Sequence, residues 1–148
     1  MKRIALSIAG SAAIALAGFG AFAIAPVPVR AEVTTAQGSE IISGEFVTVE
    51  QAKDTTGTVQ IIEENGQKYL ELSEDFSTAT GPAVYVLLHQ DETVGVNLSE
   101  DDYVAIAPLE SFDGAQRYAI PETVDVDAFN SVVIWCEEFN VTFGYAAI

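Results

Sequence analysis

Beyond residue 43, apolar and polar residues alternate in short runs broken by turn chemistry, and no run has the spacing of a long amphipathic helix. Gly44 to Glu50 (GEFVTVE) sets Val47 and Val49 on one face and Thr48 and Glu50 on the other. Asp54 to Gly57 (DTTG) reads as a turn. Thr58 to Glu64 (TVQIIEE) and Gln67 to Leu72 (QKYLEL) flank Asn65-Gly66, a pair suited to the two positive φ angles of a type I′ turn. This predicts a hairpin with Leu70 and Leu72 inward and Glu71 outward. Ser73 to Gly81 reads as a loop with Phe76 tucked in. Ala83 to Leu88 (AVYVLL) is apolar on both faces, which predicts a central strand covered on two sides; Pro82 sits at its start, where a missing donor is tolerated. Val94 to Leu98 predicts a short edge strand, and Ser99 to Asp102 a helical turn. Tyr103 to Leu109 predicts a strand, Gln116 to Ile120 another stopped by Pro121, and Val126 to Phe129 one turn of helix. The chain closes on two apolar runs, Ser131 to Cys136 (SVVIWC) and Val141 onwards, joined by Glu137 to Asn140. The pattern predicts an all-β domain of about eight short strands, built as a sandwich or a partly open barrel.

The N-terminal pattern is different. Met1-Lys2-Arg3 is a basic start, no charge follows from Ile4 to Val29, and Pro26 and Pro28 interrupt any helix. With Val29 and Ala31 at the small-residue positions, residues 1–31 read as a secretory signal peptide cleaved after Ala31. The competing reading is an uncleaved anchor, since the 22 residues from Ile4 to Ala25 are enough to cross a bilayer. Both place the remainder outside the cytoplasm. Residues 32–43 read as a flexible linker and 44–148 as the β domain.

Charge narrows the partners. Residues 32–148 hold three basic residues against 22 acidic ones, a formal charge of −19. Such a surface repels nucleic acid and anionic lipid and steers cationic partners towards it. A membrane enters only if the leader is retained.

The chain has one cysteine, Cys136, so an internal disulfide and CxxC exchange chemistry are excluded. Alternation puts Val132, Ile134 and Cys136 on one face of their strand and Ser131, Val133 and Trp135 on the other. Both faces are largely apolar, so the thiol is expected at least half buried. It is then core filling, one half of a bridge between two chains, or the catalytic group. Metal chemistry finds little support. A blue-copper centre needs two histidines with a cysteine, and only His89 is present; zinc needs four ligands at a spacing not seen here. No cofactor follows from the residues, and there is no CxxCH for covalent haem. His89, at a strand end, reads as a surface histidine. Hydrolase elbows, phosphate loops and dinucleotide fingerprints are absent. Asn97 and Asn140 each open an N-x-S/T triplet.

Several blocks resemble one family. Gly44-x-Phe46 opens the domain. Leu70-x-Leu72-x-x-Asp75-Phe76 leads to Gly81-Pro82-x-Val84-Tyr85-Val86-x-Leu88, and Gly114-x-Gln116-x-Tyr118-x-x-Pro121 follows. The most specific block is Ser131-Val132-Val133-Ile134-Trp135-Cys136-x-x-Phe139-x-Val141-x-Phe143-Gly144-x-Ala146. In order and spacing this resembles the DM13, or electron-transfer DM13, domain. The resemblance implies a compact extracytoplasmic β domain, a role in electron transfer or oxidative modification, and a characteristic cysteine as the redox group, at the position of Cys136. Two readings follow. In one, Cys136 is oxidised and reduced or helps bind a redox group, with Trp135, Tyr85 and Tyr118 as relay or packing, and the partner is a redox protein. In the other, Cys136 is structural and the acidic surface binds a cationic extracytoplasmic partner.

Overall fold

The computed structural model describes residues 39–148; the leader read over 1–31 and the first part of the linker lie outside the described residues. Asn65 and Gly66 take φ values of 53° and 82°, as a type I′ turn requires. They join β2 (Thr58–Glu64) to β3 (Gln67–Leu72), with Glu64 opposite Gln67. Leu70 and Leu72 are buried, as the alternation predicts.

The remaining strands are β1 (Ser39–Thr48), β4 (Val84–His89), β5 (Tyr103–Pro108), β6 (Gln116–Ala119), β7 (Ser131–Cys136) and β8 (Val141–Ala147). Short 3₁₀ turns cover Glu100–Asp102 and Val126–Ala128, the second capped by the Asp125 carboxylate, which accepts from the Asp127 N–H. All eight strands form one sheet in the order β5-β4-β7-β8-β1-β2-β3-β6. Every neighbouring pair is antiparallel. The sheet curls into a nearly closed barrel, so the partly open barrel is the architecture found. Its edges β5 and β6 meet at a seam where the Glu110 N–H donates to the Tyr118 hydroxyl at 2.9 Å.

β1 starts five residues ahead of its expected position. Residues 39–43 pair with β2 rather than forming part of a flexible linker, while Phe46 to Thr48 pair with β8. Polar composition hid this. The ladder uses backbone groups, and of Ile41, Ile42 and Ser43 only Ile42 packs against the core. Phe46, not Val47, faces inward; Val47 is 47% exposed.

The main core fills the barrel with inward residues of the strands, among them Phe46, Ile61, Leu70, Val86, Tyr118, Ile134 and Phe143, together with Phe76 from the loop after β3. A second, smaller cluster lies on the outer face of β4 and β7. Leu87, Val133 and Trp135 are covered there by Val94, with Tyr85, Leu98, Tyr103 and Tyr145 packed around them. This is why β4 and β7 are apolar on both faces. It also corrects the expected edge strand over 94–98. That segment is a loop laid over the sheet, joined to β8 by the Thr142 N–H to Val96 carbonyl bond of 2.7 Å and otherwise through asparagine side chains.

Candidate functional site

Cys136 ends β7. It stands opposite Val84 of β4 and Val141 of β8, and its side chain points into the main core with 1% of the residue exposed. Burial is complete, within the expectation of at least half burial, because β4 and β8 flank β7 on both sides. The exposed residues Glu137 and Glu138 follow at once, so the thiol lies just inside one rim of the barrel.

The sheet separates Cys136 from two of its expected companions. Trp135 and Tyr85 belong to the outer cluster; Tyr118 shares the inner core but comes from β6, at the far edge of the sheet. Trp135 instead packs on Tyr103, with ring centroids 5.2 Å apart and planes inclined at 49°. Its Nε1–H donates to Asn140 Oδ1 at 2.8 Å.

His89 is buried, 4% exposed, and not the surface residue its place at a strand end suggested. It turns to the outer face of β4, where its Nδ1 accepts the Asp91 N–H at 3.0 Å. It pairs with Ser131, whereas Val84, at the other end of β4, pairs with Cys136. Five residues of strand put the two about 17 Å apart. His89 and Cys136 therefore cannot ligate one metal ion. Among the described residues no group of three or more His, Cys, Asp or Glu side chains is arranged to hold one.

Three polar features escape pattern reading. The Thr55 and Thr78 hydroxyls share a buried hydrogen bond of 2.7 Å. Thr142 Oγ1 is buried without a partner. Asn140, φ 51°, accepts from both the Trp135 indole and the Leu98 N–H (2.9 Å) and donates to the Leu98 carbonyl (3.1 Å). The contact of Asn140 with Leu98, 42 positions away, leaves no local signal in the sequence.

Surface recesses lie elsewhere. One of about 310 Å³ is lined by Gln60, Glu71, Leu72 and Ser73, and another of about 300 Å³ by Lys68 and the residues 122–127. Cys136 lines neither. On β2, β3 and β6, Arg117 bridges Glu64 (3.1 Å) and Glu71 (3.2 Å), and Lys68 approaches Glu63 at 3.8 Å. Chemically, then, the chain offers a sequestered thiol, an aromatic pair beneath a bonded turn, and a strongly acidic exterior.

Compared with known proteins, the family model described as "Electron transfer DM13" matches residues 45–148. No curated protein and no solved structure matches.

Proposed function

The chain belongs to the electron-transfer DM13 family, and from that premise we propose that it works outside the cytoplasm as the docking component of an electron-transfer system. It holds a redox partner protein on its acidic surface, with Cys136 as a core residue. One observation carries this reading: the Cys136 residue is 1% exposed among apolar neighbours. Thiol exchange and ligand capture both require the sulfur to be reached. The excess of acidic residues supports a cationic partner, because complementary charge raises encounter rates and fixes orientation. The basic, apolar and small-residue succession of residues 1–31 supports the extracytoplasmic site.

A second reading is favoured by the position of Cys136 at the barrel rim, directly before an exposed turn. In it Cys136 is the redox group, uncovered by local opening of that turn. The thiol then gives one electron to an acceptor in the partner and its proton to water, leaving a thiyl radical.

A cationic cobalt(III) complex, a one-electron oxidant attracted to this surface, separates the two. Under the docking reading the folded full-length chain consumes no more oxidant than Cys136→Ala does. Consumption of one equivalent per chain by the folded protein, absent in Cys136→Ala, overturns it in favour of the second.

A further inference from the structure

The β7–β8 turn carries an aromatic residue that the barrel does not use. Phe139 is 63% exposed. The turn that bears it is nonetheless firmly held. The Asn140 N–H returns to the Glu137 carbonyl (3.2 Å), Asn97 Nδ2 donates to the Asn140 carbonyl (2.6 Å), and the Asn140 side chain binds Trp135 and Leu98. The same bonds draw segment 94–98 alongside. Val96, itself 39% exposed, thus comes to this end of the barrel.

The surroundings are acidic. Glu137 and Glu138 precede Phe139 and are exposed. Glu100, from the 3₁₀ turn, and Glu137 both act on the Tyr103 phenol, which packs at a tilt on Trp135 beneath the turn. Of the basic residues described, Lys68 and Arg117 are engaged in ion pairs on β3 and β6, and Lys53 lies 5.3 Å over the Phe143 ring.

We propose that this turn is the docking surface for a protein that presents an apolar depression ringed by lysine or arginine, with Phe139 as the anchor and Glu137 and Glu138 as rim charges. The inference rests on the docking reading above and gives it a location. Charge selects the occupant: a second copy of this chain, an acidic protein or an anionic membrane is repelled, whereas a basic rim is attracted. An aromatic side chain on a turn already fixed by hydrogen bonds is ordered before binding, so little conformational freedom is lost on contact. Such anchors dominate binding, while the charges around them set the encounter rate.

The only tryptophan of the chain lies under this turn, so its emission reports on it directly. The probe is a tryptophan-free amphipathic helical peptide of leucine and lysine, titrated into the full-length protein. Controls are a glutamate counterpart and zwitterionic lipid vesicles. Saturable change is expected with the lysine peptide alone, weakening at least tenfold in Phe139→Ala. Glu137→Lys with Glu138→Lys is expected to weaken binding and flatten its salt dependence. Val47→Ser, at an exposed apolar site on β1, is expected to leave it unchanged. Saturable binding untouched by Phe139→Ala overturns the location and leaves the docking reading standing. No saturable binding of the lysine peptide overturns both. A Phe139-dependent response to the vesicles assigns the turn to a lipid surface and overturns a protein partner.

Discussion

Replacing Asn140 by alanine tests how much one side chain holds the turn, the outer cluster and the 94–98 loop together. The substitution does two things. It removes the acceptor of the Trp135 indole N–H, in a residue only 6% exposed, and the two bonds to Leu98. Leaving a buried donor unsatisfied costs roughly 1–3 kcal/mol. It also forces a Cβ residue without a side-chain carbonyl to hold φ 51°, which adds about 1 kcal/mol. The expected loss is therefore about 2–4 kcal/mol out of a total of roughly 5–15 kcal/mol. For a domain of this size the thermal midpoint should fall by about 8–16 °C. The assay is urea unfolding of the full-length chain followed by Trp135 emission. Asn140→Gly separates the contributions, since glycine accepts the positive φ and loses only the hydrogen bonds. It should be about 1 kcal/mol more stable than the alanine variant. A loss below about 1 kcal/mol in Asn140→Ala, smaller than one unsatisfied buried donor costs, would mean that the turn does not depend on the Asn140 side chain.

Other outcomes follow from the barrel. Tyr118→Phe removes the hydroxyl that accepts the Glu110 N–H across the β5–β6 seam and meets Gln116 Oε1 at 2.5 Å; a loss of about 1 kcal/mol with faster hydrogen exchange at β5 and β6 is expected, and unchanged exchange at both edges would separate the seam from that bond. Gly144→Ala places a Cβ 2.6 Å from Thr55 Cβ and 2.8 Å from the Val47 carbonyl oxygen. Overpacking of this kind costs about 1–3 kcal/mol and should show as a lowered urea midpoint; a midpoint equal to wild type would mean that β1 and β8 separate freely. Alkali should also destabilise the fold. Burial, then the Glu100 and Glu137 carboxylates, push the Tyr103 phenol above its ordinary value of 10.0. Burial also raises Tyr118, where the Glu110 N–H bond opposes and the Glu110 carboxylate assists. Because the folded state resists losing these protons, their contribution is fully present below about pH 10 and is lost as pH rises through the raised folded values. Urea midpoints should therefore drop as pH rises above about 10, and less steeply in Tyr103→Phe; an equal drop in that variant would assign the effect to other groups.

Local chemistry was the most legible part of this chain. The Asn65-Gly66 turn needs only its own two residues to be recognised, and the inward Leu70 and Leu72 follow from it. Two-sided burial of β4 and β7 was visible because Ala83 to Leu88 and Ser131 to Cys136 lack a polar face. What covers the second face was not visible. Loop 90–98 lies on the outer cluster through contacts with β8 and Asn140, far away in sequence, and so the burial of His89 and the fate of the expected edge strand were hidden together. Alternation correctly put Trp135 and Cys136 on opposite faces. It could not say which face lines the barrel, because valine and isoleucine occupy both. The start of β1 was missed for a different reason: its pairing uses backbone groups that a polar sequence does not advertise.

Whether Cys136 is a core residue or a reachable thiol is decided by its labelling rate in increasing urea. A small alkylating reagent at neutral pH measures the free energy of exposing the thiol, and Trp135 emission in the same samples measures global unfolding. For a core thiol the two free energies coincide and share one urea dependence, because the sulfur is reached only when the barrel opens as a whole. Labelling that is fast in the absence of urea and insensitive to it, while Trp135 still reports a folded barrel, would exclude a core role and return Cys136 to the position of a reactive group.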